Sequence, residues 1–380
     1  MDGKKSKMAG IGEFHMKKKK IVLWGTGRFA KEILSNSCFF ENEIQICCIV
    51  DNDFSKWGTI FYEKEVMQPS YLKDIQFDKI VIASEIFFDE IQNTIIEKLH
   101  IEKSKIENRF YFAKIKLVER YRAVQNEEIK DIIHYLGNHS LEIFNYEFAE
   151  KYSDMAVNIF YDDNVKMYYV MHCGKRMYMS PQMNTKEEVL KYYCGICMEQ
   201  DRQSPHVYMD EQFGVEEGDV VVDVGVAEGN FSLQVIDKVS KIYMIESDKD
   251  WIKALECTFG EYKDKVVMIN KFVSDYTFGS IDSLDNMINE KVNFIKMDIE
   301  GCECEALLGA RQLIKKSDKL RCAICVYHRD NDEMYINEIA RMLEMKGSLV
   351  KGYMWYPVGQ KQKYISPILR RGVIRYEKRS

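Results

Sequence analysis

Short apolar runs alternate with amphipathic stretches along most of this chain. "IVLW" (21–24), "IQICCIV" (44–50) and "KIVIAS" (79–84) read as strands. "FFDEIQNTIIEKLH" (87–100) carries apolar residues at three- and four-residue intervals, the period of a helix. Between 116 and 200 the pattern changes. "NEEIKDIIHYLGNH" predicts a helix closing near Gly137, and "MAVNIFYDDNVKMYYVMHCGKRMYMS" predicts hairpins or a meander turning at Asp162–Asn164 and at Cys173-Gly174. From Gly218 the alternation returns: "VVVDV", "KIYMIES", "KVVMINKF", "VNFIKMDIE" and "LRCAICVYH" are strands in series. "GSLVKGYMWYPV" and "GVIRYEK" then form a closing antiparallel pair. Strands alternating with helices imply parallel, doubly wound sheets. The fold class is therefore α/β with two such domains, at residues 16–112 and 206–380, joined by a helical and hairpin connector at 113–205.

Composition narrows the function classes. A net charge of −6 argues against general affinity for nucleic acid or acidic membranes. No apolar run is long enough to span a bilayer and no secretory signal is visible. Eleven cysteines without small-scaffold spacing fit a reducing cytoplasm. Residues 1–15, basic and glycine-rich with no structural period, read as an expression-tag remnant, or else as a basic arm, ahead of a start at Met16.

Two glycine turns follow apolar strands, and they differ. In the first, Gly25, Gly27 and Ala30 fit G-x-G-x-x-[GA], the Rossmann arrangement for a dinucleotide, and Asp51 ends the next strand where a ribose-binding carboxylate would lie. That unit holds NAD or another nucleotide, or it keeps the glycines only for a tight connection. The second turn, in "DVVVDVGVAEGNFS", is D-x-G-x-x-x-G: Asp223, Gly225 and Gly229, with Ala227 where close phosphate approach would want glycine. A carboxylate at the mouth of the turn repels a pyrophosphate and attracts an ammonium. S-adenosylmethionine has an ammonium, a sulfonium and no phosphate. Glu246 ends the following strand and offers a carboxylate to ribose hydroxyls.

With "DVGVAEGNFS", "ESD", "SIDSLDNM", "FIKMDIEGCECEALLGA" and "CVYHR", residues 219–378 resemble a class I methyltransferase of the FkbM family. "MEQDRQSPHVY" resembles the lead-in segment of some such enzymes, and the N-terminal unit resembles small Rossmann domains attached to bacterial sugar-modifying proteins. The cofactor site expected from the turn and the resemblance comprises Asp223, Gly225, Glu228, Gly229, Asn230, Glu246, Ser247, Ser274 and Asp298. The implied activity is O-methylation of a sugar hydroxyl in a surface glycan, or of a natural product.

Methyl transfer to a hydroxyl requires alignment and a base. His328, ending the fifth strand, is the base candidate, with turnover expected to rise through a titration at about pH 6–7. Asp298 and Glu300, after the fourth strand, are its catalytic partners, and His206 is a lid or substrate residue. No zinc is expected. Cys322 and Cys325 point to opposite faces of one strand, and Cys302 and Cys304 diverge on a helix. A divalent cation at Asp298, Glu300 or the "HRDND" loop is left open. No tyrosine has a lysine four positions later, which argues against a short-chain sugar-nucleotide oxidoreductase. The alternatives are a cofactor-binding scaffold of a glycan-assembly complex and a sugar-nucleotide enzyme acting through the first domain.

Overall fold

The computed structural model describes residues 18–357, 364 and 366–378. The expected tag remnant and the start at Met16 lie outside the described residues. Two compact units are present. The first runs to Arg120; the second holds Tyr121–Gly137 and most of the chain from Glu142.

The first unit is built on strands β1 (Lys19–Trp24), β2 (Ile44–Val50), β3 (Ile60–Phe61), β4 (Lys64–Met67), β5 (Lys79–Ile82) and β6 (Ile106–Glu107), ordered β3-β4-β2-β1-β5-β6. All pairings are parallel except that of β3 with β4. Its helices are α1 (Arg28–Ser35), α2 (Phe88–Asn93) and α3 (Tyr111–Tyr121). Ile21 and Leu23 enter one apolar cluster and Val22 and Trp24 another, so β1 is covered on both faces, as a parallel sheet requires. The helix predicted over 87–100 is regular only to Asn93. It then widens into a π turn at Thr94–Lys98, coincident with the β-branched run Thr94-Ile95-Ile96.

Helix α3 begins where the first domain was expected to end. Phe112 is fully buried and stacks on Phe40 with centroids 4.4 Å apart. Leu117 is also fully buried, and Lys114 Nζ lies 3.1 Å from the buried carboxylate of Glu107.

In the second unit α4 (Glu127–Leu136) starts at Asn126, whose side chain accepts from Ile129 N–H, and closes at Gly137. After the short α5 (Glu147–Glu150) come β7 (Ile159–Asp162), β8 (Met167–His172) and β9 (Lys175–Tyr178), the expected antiparallel meander. Helix α6 (Lys186–Glu199) opens on a reciprocal cap between Thr185 and Glu188. These pieces form no separate layer: Val170, Met177 and Val189 share one core with Val221 and Phe231 of the following fold.

That fold centres on β10 (Val220–Val224), β11 (Lys241–Ile245) and β12 (Val266–Ile269), with a small pair β13 (Phe272–Val273) and β14 (Ile281–Asp282). The sheet continues through β15 (Phe294–Met297), β16 (Arg321–Cys325), β17 (Met345–Leu349) and, beyond a second small pair β18 (Met354–Trp355) and β19 (Leu369–Arg370), β20 (Val373–Lys378). The order is β12-β11-β10-β15-β16-β20-β17, parallel up to β16, with β20 antiparallel to both its neighbours. The helices are α7 (Asn230–Val235), α8 (Lys249–Thr258), α9 (Leu284–Met287), α10 (Glu303–Leu308), α11 (Arg311–Lys316) and α12 (Asp332–Met342). The strand order reverses between β10 and β15, so the crevice of this doubly wound sheet opens beyond their C-terminal ends. No helix of the described residues is long and apolar enough to cross a membrane.

A fragment of residues 18–120 is expected to unfold cooperatively in urea, followed by circular dichroism. A fragment ending at Phe112 should have a clearly lower midpoint, because it loses Leu117 and most of α3. Equal midpoints would place α3 outside the first unit's core.

Candidate functional site

The turn after β10 is fixed from below. Asp223 is fully buried, accepts the Ser232 hydroxyl at 2.7 Å and lies 3.1 Å from Lys296 Nζ. The same ammonium donates to Gly225 O at 2.5 Å. Asp223 therefore does not bring a charge to the mouth of the turn, as its sequence position suggested; its charge is answered inside the protein. Burial raises its carboxyl above the usual range, against the pull of Lys296 and Ser232. Gly225 is required by close approach: at φ +75° a Cβ would lie 2.0 Å from Asp298 O. Gly229, at φ +84°, would meet Leu255 and Phe259 at 2.8 Å. These two glycines serve packing, not phosphate approach.

Above this turn a cavity of about 300 Å³ opens, with Gly225, Glu246, Ser247, Trp251, Asp298 and Glu300 on its wall. Glu246 accepts from Ala227 N–H at 2.9 Å and Asp248 N–H at 2.8 Å, which aims its carboxylate. Besides the buried Asp223, four expected cofactor residues are not on this wall. Glu228 is buried and bound by the Tyr192 hydroxyl at 2.5 Å. Gly229 and Asn230 begin α7, Asn230 bonding to the next backbone N–H. Ser274 is buried against Gly309, where an added Cβ would stand 2.1 Å from the serine carbonyl oxygen. A larger cavity, about 670 Å³, lies near Gly214 and Lys238 at the opposite ends of the strands and holds none of the expected residues.

Asp298 collects three partners. Tyr208 donates its hydroxyl to Oδ2 at 2.6 Å, His206 Nε2 stands 3.5 Å from that oxygen, and His328 Nε2 stands 3.4 Å from Oδ1. Burial pushes the carboxyl up, but His206, Lys296, His328 and the Tyr208 hydrogen bond outweigh it and hold it down to about 2. His206 lies off the cavity wall. It is almost fully buried, 3.2 Å from the Tyr327 hydroxyl, and burial lowers it to about 4, against the attraction of Asp298. Gln200 accepts Tyr208 N–H through Oε1 and so turns its amide N toward His206 Nδ1, 3.4 Å away; the imidazole proton then sits on Nε2, facing Asp298.

His328 also lies deeper than expected, its side chain 3% exposed and behind Asp298 and Glu300 rather than on the cavity wall. Its Nδ1 stands 2.9 Å from Glu303 Oε1 and its Nε2 3.8 Å from Glu300 Oε2. Burial depresses the imidazole, but Glu303, then Asp298 and Glu300, outweigh it and raise it above the ordinary 6.5. Glu300 itself projects outward from a left-handed residue at φ +55°, and the Tyr356 hydroxyl reaches it at 3.4 Å.

Two trios of metal-ligating type meet at Asp298, one with His206 and Cys325, the other with Glu303 and His328. In the first, the Asp298 oxygen that faces His206 already accepts the Tyr208 hydroxyl at 2.6 Å. In the second, the two carboxylates face opposite nitrogens of one ring. Both fit hydrogen-bonded relays better than chelates. In the acidic loop, Asp330 is paired with Arg370 and Asp332 accepts Arg329 N–H. Cys322 and Cys325 enter different cores on opposite sheet faces, as their spacing predicts.

In the first unit, Gly25 takes φ +108°, Gly27 caps α1 and Ala30 is buried, giving the expected strand–turn–helix. Asp51 accepts from Thr26 Oγ1 at 2.6 Å, Lys56 Nζ at 3.1 Å and Asp53 N–H at 3.0 Å, so both its oxygens are engaged within the protein.

Sequence reasoning missed Lys296, Tyr208, Glu303 and Tyr192 as parts of the site. One signal was available: Lys296 is the sole charge in the apolar strand "FIKM".

Residues 218–350 match the family described as methyltransferase FkbM domain, and residues 17–107 match the family described as C2185-like, N-terminal. Among solved structures, a methyltransferase FkbM from Methylobacillus flagellatus KT aligns at 16% identity and TM-score 0.45, over 94% of this chain and 90% of that one. A precorrin-6y C5,15-methyltransferase from Geobacter metallireducens GS-15 aligns at 9% identity and TM-score 0.32, over 43% and 83%. An rRNA methylase from Streptococcus thermophilus aligns at 14% identity and TM-score 0.30, over 44% and 90%. No curated protein matches the chain.

Gly225→Ala is expected to destabilise the second unit by at least about 1–3 kcal/mol, the range for forced overpacking. Gly27→Ala, where a Cβ meets nothing within 4 Å, should change stability by no more than about 1 kcal/mol. Thermal melts of the two variants check this; equal shifts would contradict the close approach.

Proposed function

We propose that this chain, which carries an FkbM methyltransferase domain, uses S-adenosylmethionine to methylate a hydroxyl of a sugar in a glycan or natural product. The observation that carries the reading is the cavity shared by Glu246 and Asp298 at the reversal of strand order. Its residues fit the group. Glu246 is aimed by two backbone N–H donors and retains acceptor capacity for ribose hydroxyls. Gly225 keeps the floor free of side-chain atoms, and the lysine on the wall, Lys271, is paired with Asp282 at 2.9 Å. When bound, the cofactor supplies an electrophilic methyl group on a sulfonium.

The chain's own work is then to place an alcohol and take its proton. The pKa of a sugar hydroxyl lies far above neutrality, so a base assists as the new bond forms. His328 is that base. Asp298 and Glu300 stand between its Nε2 and the cavity: Asp298 orients the hydroxyl, Glu300 carries the proton across to Nε2, and both stabilise the imidazolium that results. Asp298 stays a carboxylate throughout. Eleven unpaired cysteines support a reducing cytoplasm as the place of action.

Glu246→Ala is expected to weaken S-adenosylmethionine binding at least tenfold by calorimetry, since charge-assisted hydrogen bonds contribute about 1.5–3 kcal/mol each. Unchanged affinity would remove this strand end from the cofactor site.

His328→Ala is expected to lower turnover by about 10²–10⁴ with cofactor affinity nearly unchanged. Only the neutral ring takes a proton, so wild-type turnover falls as pH drops through the His328 value, which its carboxylate neighbours raise above the ordinary 6.5. Transfer of labelled methyl to a panel of free and lipid-linked sugars from pH 5 to 9 reads both effects. A variant with wild-type turnover and profile would exclude His328 as base.

A further inference from the structure

Glu303 is the first residue of α10 and fully buried. Such a carboxylate is costly to bury unless the structure uses its charge. Its Oε1 accepts Ile299 N–H at 2.9 Å and lies 2.9 Å from His328 Nδ1, while Oε2 has no hydrogen-bond partner. The contact to the ring is short but bent, and neither ring nitrogen completes a well-aligned hydrogen bond. Of the three carboxylates around the ring Glu303 stands nearest, 2.9 Å from Nδ1, while Asp298 and Glu300 stand 3.4 and 3.8 Å from Nε2.

We propose that Glu303 is the positioning residue for His328, holding the ring proton on Nδ1 and presenting Nε2 toward Asp298 and Glu300. The partner of one ring nitrogen decides which nitrogen carries the proton, so a carboxylate at Nδ1 makes Nε2 the basic atom. This rests on His328 as the base proposed above, and adds what makes it one.

The other groups facing the ring do not reproduce this. Asp298 and Glu300 are on the Nε2 side; alone they would favour the opposite tautomer, with Nε2 protonated and no longer basic. Asp332, from α12, interacts with His328 through charge, and its carboxyl is raised by burial. His206 is held neutral by burial. Tyr327 and Tyr356 touch the ring through their aromatic faces and edges.

A purely structural Glu303 would only hold the turn at Ile299. The test therefore reads the histidine directly, by ¹⁵N imidazole NMR on the full chain without cofactor or acceptor, with the His328 signal assigned from His328→Gln. In the wild type the neutral ring should carry its proton on Nδ1, with a pKa above 6.5. Glu303→Gln keeps an oxygen for Ile299 N–H and removes the charge. It should lower the His328 pKa by about one unit or more, the effect of one adjacent charge. Glu303→Asp should restore most of that shift. A wild-type ring protonated on Nε2, or a titration unmoved in Glu303→Gln, overturns the proposal; the wild-type tautomer decides it even if the variants do not fold. Failure of the base reading shows separately, as full turnover in His328→Ala, and leaves the NMR result intact.

Discussion

The ammonium of Lys296 ties the second unit's central strands together at the place where the site is built. It rises from β15 in an otherwise apolar strand, ion-pairs with Asp223 of β10 and donates to the carbonyl of Gly225. Isolated, such a charge would be lost from the interior. Here the attraction of Asp223 and Asp298 outweighs the cost of burial and keeps it protonated. Removing either partner would leave one buried charge uncompensated, which is far worse than never having buried the pair. The arrangement therefore behaves as a unit: the turn, its carbonyl and the neighbouring strand end are set by one cation.

From that point outward each layer is placed by the one beneath. The turn drawn down by Lys296 lets Gly225 pass against Asp298, and only a residue without a Cβ can do so. Asp298 is then held by Tyr208 and faces two imidazoles of unlike character. His206 is sealed in the interior and stays neutral; His328 is met by carboxylates and becomes more basic. Two histidines that face the same carboxylate thus acquire opposite tendencies from depth and their other partners.

The strands were legible because apolar periodicity is a local property: β2 and β10 occupy the residues whose alternation announces them. The glycine turn was legible for the same reason, since its spacing is fixed by a strand and a helix adjoining in sequence. Depth was not. Asp223 and Glu228 look alike from either side of the turn, yet both are buried, one on Lys296 and the other on Tyr192. Those partners lie far away in sequence, and no local pattern selects them. His328 shows the same limit: its place at a strand end was readable, but its retreat behind two carboxylates depends on how α10 packs beneath it.

Ala227 has a left-handed backbone, φ +49°, which an alanine adopts only under constraint, and its N–H is the donor that fixes Glu246. A glycine there would relax the strain and also free the loop to wander. The alanine makes the loop stiff, so the ordering entropy of the pocket is charged to folding rather than to ligand capture. A pocket already in shape captures by simple encounter, and differences in affinity among its ligands then appear chiefly in how long each one stays.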